Sequence, residues 1–303
     1  MKFMRKNKEA IFMTISCVAS IFVSILANKI CEQMMEIQNH PQYIVKYIID
    51  VVVVYIVSKG CIWLKNKFFL DVYQEEVIQQ ALISMRDLQN QWGEIVQELW
   101  KNNPVSEKCL AEQSLGNIKA IIEQCFSFFD NVYSENKSLI NAIDFEVTFM
   151  TKSYVDNFIT IPAAANRERR QPTSMIHRKD NVHIYDGTVT AAIYEEYNRG
   201  EKPDLRIVEN TNKSKNEKES YKFLYKGQGD RIKSSMVMPI MSCKNELLGT
   251  LVVHCNKKYF FKMSRKKFWK ALLEIYAGEI ANEKKCLDIL VEKADLQDFF
   301  KNF

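Results

Sequence analysis

The side chains best suited to chemistry in this sequence are the arginines of a polar loop between residues 166 and 180. Residues 166–170 read Asn-Arg-Glu-Arg-Arg, and Arg178 and Lys179 follow. A guanidinium group forms paired hydrogen bonds with a phosphate or a carboxylate, so clustered arginines suit an anionic small molecule or a nucleotide messenger. The alternative is a solvated surface loop whose charges face water or lipid headgroups. The candidate ligand-binding residues of this loop are Arg167, Arg169, Arg170 and Arg178.

Recognisable signatures of catalysis are missing from the sequence. It contains no phosphate-cradling glycine-rich loop, no H-E-x-x-H, no G-x-S-x-G and no kinase signature. His177 and His183 lie six residues apart in a polar loop, and His254 ends an apolar run, a spacing that favours ordinary polar or core roles over metal binding. We therefore expect no enzymatic activity, no metal and no cofactor.

Cysteine spacing and net charge narrow the class of protein. Eight cysteines are widely spread and never form C-x-x-C, so we expect reduced thiols that are mostly part of the core. The net charge of +5 is modest, and much of the excess lies beside the two apolar stretches near the start of the chain. This pattern is typical of a topology signal and of attraction to anionic lipid, so no direct binding to nucleic-acid polymers is expected.

Those two apolar stretches predict a transmembrane hairpin over residues 1–65. The first, residues 10–27, has no charged side chain, and its 18 positions approach the thickness of a bilayer core. The second runs from about residue 43 to residue 64. Lysine and arginine flank the outer ends of the pair, which places both termini in the cytoplasm of an inner-membrane, multi-pass protein. A cleaved signal peptide is the alternative for the first stretch, although no small-x-small cleavage site follows it.

Small and polar residues within the hairpin suggest contacts between helices. Ser16, Ser20 and Ser24 fall on one helical stripe, which lets two helices approach closely, either within one hairpin or between copies in a homo-oligomer. Asp50 is the one carboxylate of the second span, and it lies one turn from Lys46, with which it could pair. We take these four residues, the three serines and Asp50, as candidates for transmembrane packing.

A linker helix is predicted over residues 66–104. Ile78, Met85, Trp92 and Leu99 recur every seven residues, and a second set of apolar residues interleaves with them. A dimeric signalling coiled coil and packing on the helices of the following domain both fit this pattern.

Residues 105–303 read as a domain of the α+β class. A helix with the stripe Ile118, Ile122, Cys125, Phe129 and Val132 comes first. Strands are predicted over residues 145–149, 158–161 and 205–208, the second ending before a proline, with a helix from Asp186 to Gly200 between the second and third. Two apolar runs, 235–241 and 247–255, predict a hairpin, and a long helix opens near Ser264.

The hairpin resembles the closing strands of the GAF-domain family. Residues 232–240 read Ile-Lys-Ser-Ser-Met-Val-Met-Pro-Ile and residues 246–253 read Glu-Leu-Leu-Gly-Thr-Leu-Val-Val. GAF domains show a Lys/Arg-Ser start, a strand ending in a proline, a turn and a Leu-Gly-x-Leu strand. The resemblance implies an antiparallel sheet, similar to that of PAS domains, with helices on one face and a small-molecule pocket on the other. Pro239 would end regular pairing before the turn, and Gly249 would permit close packing or a bulge.

The resemblance also bears on ligands. Loops over the sheet often close the pocket of a GAF domain, which would bring the arginine loop to a ligand. The Asn-Lys-Phe-Asp-Glu signature of cyclic-nucleotide-binding members is missing. Side chains of the helix that would flank the pocket are further candidates, with core packing as their alternative role. They are Tyr185, Thr190 and Tyr194.

These observations predict a membrane-anchored cytoplasmic sensor. A GAF-like domain would bind a small ligand or partner and alter the association of the transmembrane helices in a homo-oligomer, with no catalytic module of its own. The alternative is a membrane-perturbing effector of a nucleotide-triggered antiphage defence system, in which the spans themselves are the output.

Overall fold

The computed structural model describes residues 74–93, 106–133, 143–154, 159–167, 188–212 and 228–297, together with five isolated earlier positions. Two compact units divide the chain, Met1–Glu76 and Val77–Phe303. Among the described residues, no helix has both the length and the apolar character that crossing a membrane requires. Apart from those five positions, the predicted transmembrane hairpin, including Ser16, Ser20, Ser24 and Asp50, lies outside the described residues and stays a prediction.

Five antiparallel strands form one sheet in the second unit. The strands are β1 (Phe145–Lys152), β2 (Ile159–Asn166), β3 (Arg206–Val208), β4 (Ser234–Met241) and β5 (Leu247–Cys255). Their spatial order is β2-β1-β5-β4-β3, so β5, which closes the β4–β5 hairpin, lies at the centre. The predicted α+β class and antiparallel pairing are confirmed.

Helices lie on both faces of this sheet. Residues 74–93 are helical (α1), followed by α2 (Glu107–Tyr133), α3 (Val189–Asn198), the short α4 (Gln228–Arg231) and α5 (Lys266–Lys293). The long helices α2 and α5 pack on each other and on one face, where inward residues of all five strands complete the main core. The shorter α3 contacts β4 and β5 from the opposite face.

Aromatic side chains dominate the main core. The predicted stripe of α2 is confirmed: Ile118, Ile122, Cys125 and Phe129 are fully buried, and Val132 packs at the edge. The ring centroid of Phe129 lies 5.5 Å from that of Phe145 on β1 and 6.3 Å from that of Trp269 on α5. One phenylalanine therefore joins both long helices to the sheet.

The described part of the predicted linker helix, with its seven-residue apolar pattern, packs within the domain. Val77, Ala81 and Met85 of α1 are buried in the main core, and Leu88 and Trp92 pack against it. These contacts correspond to packing on the domain's own helices, one of the two roles that the heptad pattern left open.

Proline placement differs from the sequence prediction at two strands. Strand β2 continues through Pro162, because β2 is an edge strand and Pro162 lies at a register shift against β1, between the pairs Phe149–Ala163 and Thr151–Thr160, where a proline is tolerated. Strand β4 likewise continues past Pro239, which pairs with Thr250. Because β3 pairs with β4 only as far as Val237, no strand of the described ranges lies on the other side of Pro239. The helix α3 is also capped later than predicted, by Thr188 rather than by Asp186.

Gly249 allows β5 to lie against β1, and this close approach predicts the effect of a substitution. A Cβ atom at Gly249 would lie 2.5 Å from the carbonyl oxygen of Met150 and 2.7 Å from the ring of Phe149. Since backbone must move to relieve this overlap, we expect Gly249→Ala to lower the free energy of unfolding by about 2 kcal/mol. Chemical denaturation measures the change.

A matched glycine provides the control. Gly278 lies within α5, and a Cβ atom there would meet nothing within 4 Å. Gly278→Ala should raise the free energy of unfolding by roughly 0.5–1 kcal/mol, because alanine favours a helix over glycine. Equal effects of the two substitutions would show that the contact at Gly249 is not responsible.

Candidate functional site

A row of polar side chains crosses the sheet on the face away from α2 and α5. Glu146 on β1 lies directly opposite His254 on β5, and His254 lies opposite Ser235 on β4. Asn166 extends the row onto β2, where it is opposite Glu146. Because side chains alternate along a strand, these residues point away from the main core, into which Val147, Val253 and Met236 project.

Ser235 and His254 form the centre of this row. The Oγ atom of Ser235 lies 2.9 Å from Nδ1 of His254, and both residues are buried. Burial lowers the pKa of His254 to about 4, so the imidazole is neutral at physiological pH. If the serine hydroxyl donates to Nδ1, the ring proton lies on Nε2; in the other tautomer Nδ1 donates to the serine oxygen. The pair therefore carries no net charge.

Two threonine hydroxyls share this face of the sheet. Thr148 follows Glu146 by two positions on β1, and Thr250 precedes His254 by four positions on β5, so both side chains point to the same side as the row. Both side chains are fully buried, and neither hydroxyl has a hydrogen-bond partner among the described residues. A buried hydroxyl without a hydrogen-bond partner lowers the stability of the folded protein by roughly 1–3 kcal/mol. A bound polar molecule that forms a hydrogen bond with the hydroxyl would remove this cost. We call Glu146, Thr148, Ser235, Thr250 and His254 the polar face.

Helix α3 covers part of this side of the sheet. Its Ile193 and Tyr194 pack with Met150, Val237 and Val252 in a second, smaller core. The helix begins after Thr188, whose hydroxyl accepts a hydrogen bond from the backbone N–H of Ala191 at 3.1 Å.

Two of the side chains that the sequence singled out belong to α3. Thr190 is buried, and its hydroxyl lies 3.6 Å from the sulfur of Met150. The ring of Tyr194 is buried, with Nζ of Lys152 5.6 Å from its centroid. Both contact the same side of the sheet as the polar face, as a helix flanking a ligand would. Tyr185 lies outside the described residues.

Arg167 is engaged on the other side of the sheet. Its guanidinium forms an ion pair with Asp130 of α2 and donates a hydrogen bond to the carbonyl oxygen of Ile143 at 3.4 Å. This contact fastens the end of β2 to α2. Arg169, Arg170 and Arg178 lie outside the described residues, so the proposed anion site in their loop stays a prediction.

Sequence reasoning missed the polar face. The alternation of Glu146 and Thr148 with apolar residues is typical of a strand with one water-exposed side, yet Thr148 is fully buried. A usable signal was present in the hairpin: Ser235 and His254 lie at the ends of apolar runs whose other members are mostly buried on both faces. Polar residues within such a run indicate an internal partner or a ligand.

Comparisons with known proteins give similarity in fold only. No protein-family model matches the sequence, and no curated protein shows significant similarity to it. Similar solved structures include a GAF domain, with 16% identity, coverage of 68% of this chain and 88% of that chain, and a TM-score of 0.39. Another is the GAF domain of an Acinetobacter phosphoenolpyruvate-protein phosphotransferase, with 12% identity, coverage of 69% and 93%, and a TM-score of 0.37.

An enzyme is also among the similar structures. The type II free methionine-R-sulfoxide reductase of Thermoplasma acidophilum shows 15% identity, coverage of 57% of this chain and 96% of that chain, and a TM-score of 0.37. The prediction of no enzymatic activity is therefore wrong as drawn, because it rested on missing sequence signatures, and their absence does not exclude catalysis. The similarity assigns no reaction to this chain.

Proposed function

We propose that this protein is a membrane-anchored sensor whose domain binds a small polar molecule at the polar face. The observation that carries the proposal is a pair of buried hydroxyls without a hydrogen-bond partner among the described residues, those of Thr148 and Thr250, on the same face of the sheet as the Ser235–His254 pair. Natural proteins seldom leave such groups without a partner, so their presence on one face of a sheet favours a binding site.

The chemistry of the polar face indicates the class of ligand. It combines three hydroxyls, a neutral imidazole and the carboxyl group of Glu146, which is half-buried. Hydroxyls and imidazole both donate and accept, so a compact molecule with amide or hydroxyl groups would match them. An anionic group on the same molecule would need the predicted arginine loop as its partner, since the polar face itself has no cation.

The route of the signal follows from the packing of α1. Residues 77–93 of α1 pack on the main core, where Gln124 of α2 also donates a hydrogen bond to Ser84 of α1. In the sequence the predicted linker helix, residues 66–104, includes α1 and directly follows the predicted hairpin. We propose that ligand binding shifts the sheet against α2 and that this shift changes the position of α1. The association of the predicted spans would change as a consequence.

Isosteric substitution tests the site. Thr148→Val and Thr250→Val together remove the two unpaired hydroxyls while keeping the shape, so the free protein should be as stable as wild type or slightly more so. A panel of nucleotides, amino acids and amino-acid amides is screened by thermal shift on the full chain. A compound that stabilises wild type should lose most of its effect on the double variant.

The matched control is Thr151→Val on the same strand. Its hydroxyl already donates to the carbonyl oxygen of Leu248 at 2.7 Å, so its removal should destabilise the protein but leave the ligand-induced shift unchanged. Equal stabilisation of wild type and the Thr148/Thr250 variant by the same compound would place the ligand elsewhere and refute the proposal.

A second candidate function uses the same domain, but the predicted membrane spans themselves produce the effect. The serine stripe of the first predicted span would then line contacts of a membrane-perturbing assembly, triggered by a nucleotide in an antiphage system. Expression together with the trigger should depolarise cells, and Ser20→Leu should abolish the depolarisation. Depolarisation that persists in this variant would count against the stripe.

A further inference from the structure

The connection between β5 and α5 carries a dense group of cations. Residues 257–267 read Lys-Lys-Tyr-Phe-Phe-Lys-Met-Ser-Arg-Lys-Lys, which we call the basic loop. Lys266 pairs with Asp204 at 2.8 Å, as does Lys270 of α5. The remaining cations of the loop form no ion pair with any residue of the described ranges, and all but the arginine are exposed. They are Lys257, Lys258, Lys262, Arg265 and Lys267.

Apolar side chains stand between these cations. Tyr259 is 40% exposed and Met263 is 46% exposed, two of the few large apolar side chains on the described surface. Phe261 between them is fully buried, with its ring centroid 5.4 Å from that of Trp269. Because Phe261 holds the loop against the main core, Tyr259 and Met263 are directed outward among the lysines.

The loop is held in one conformation from the end of β3. Tyr259 adopts a φ of 57°, a left-handed conformation, and its N–H donates to the carbonyl oxygen of Glu209 at 2.6 Å. The N–H of Met263 donates to the carboxylate of the same glutamate at 2.7 Å, and the side chain of Asn210 donates to the hydroxyl of Tyr259 at 3.2 Å. Binding to this loop therefore requires little further ordering of the chain.

We propose that the basic loop binds the surface of a bilayer that contains anionic lipid. The unpaired cations would contact headgroup phosphates, while Tyr259 and Met263 would enter the interfacial layer, where tyrosine is favoured. Exposed apolar side chains interspersed with lysine favour a lipid surface over a nucleic acid, which would need a freely stacking aromatic side chain in a cationic groove. The proposal is independent of the polar face and of the predicted hairpin.

Proteolysis of the full chain on vesicles tests the proposal. The protein is combined with vesicles of phosphatidylcholine alone or of phosphatidylcholine mixed with phosphatidylglycerol, and trypsin cleavage after Lys258 is followed by mass spectrometry. At low salt we expect cleavage to be slowed at least about fivefold by phosphatidylglycerol, since each cation near an anionic surface contributes roughly that factor. Molar salt should remove the difference, because charges are then screened within a few ångströms.

Two variants and a control separate charge from folding. Lys262→Gln with Lys267→Gln should remove most of the protection while leaving the cleavage site intact, and Met263→Ser should weaken it at unchanged charge. The control is Lys244→Gln, an exposed lysine in the β4–β5 turn at the opposite end of β5, which should leave the protection unchanged.

Three outcomes would overturn the proposal. The first is equal cleavage on the two kinds of vesicle, and the second is protection that survives the double substitution. The third is protection by a single-stranded RNA oligonucleotide, offered without lipid, combined with no difference between the vesicles. That third result would assign the basic loop to nucleic acid instead.

Discussion

Replacing Phe129 by alanine is expected to lower the free energy of unfolding by about 4 kcal/mol. The side chain is fully buried, and its ring contacts Phe145, Phe261 and Trp269, which come from the sheet, the basic loop and α5. Deletion of a buried ring removes its transfer free energy and leaves a cavity that neighbouring rings fill only partly. Chemical denaturation followed by tryptophan fluorescence measures the change.

Phe126 provides the matched comparison on the same helix. It is only partly buried at the edge of the main core, so Phe126→Ala removes the same atoms with a smaller loss, about 1–2 kcal/mol. If the two variants were equally destabilised, Phe129 would not have the central role that the packing assigns to it.

The second large effect is a loss of stability in acid caused by His254. Burial lowers its pKa from 6.5 to about 4 in the folded protein. Between these values the unfolded chain binds a proton that the folded protein does not, so the free energy of unfolding decreases as the pH falls from about 6.5 to about 4. The shift corresponds to about 3 kcal/mol at the lower end of this range.

The variant His254→Gln isolates this contribution. Glutamine keeps hydrogen-bonding capacity towards Ser235 but does not titrate, whereas the carboxyl groups of the protein titrate alike in both proteins. We expect the difference in stability between wild type and variant to shrink by about 3 kcal/mol as the pH falls across the range. Parallel stability curves for the two proteins would contradict the assignment. The measurement is a series of chemical denaturations at stepped pH.

Local sequence patterns predicted those elements whose positions depend on neighbouring residues alone. The helical stripe through Ile118 and Phe129, the β4–β5 hairpin and the close approach at Gly249 are all confirmed. The predicted second strand ends before Pro162, whereas β2 continues through it. A strand tolerates proline at the edge of a sheet, and only the complete strand order shows that β2 is an edge strand.

The polar face could not be predicted for a related reason. Alternation along β1 shows that Thr148 and Phe149 point to opposite faces, but not whether the second face is covered. The alignment of Glu146 with His254 and Ser235 arises from the register of strands far apart in sequence. The contact of Arg167 with Asp130 likewise joins residues of β2 and α2 that no local pattern relates.

The edges of the sheet determine how copies of this domain can meet. One edge is β2, which carries Pro162 and a register shift against β1, and the other is β3, only three residues long. Neither edge offers an uninterrupted row of free N–H and C=O groups with which a strand of another molecule could pair. Assembly of the described domain by a continuous intermolecular sheet is therefore disfavoured, whereas α1 exposes the apolar side chains of Leu82 and Ile83, which a helical contact between copies could cover.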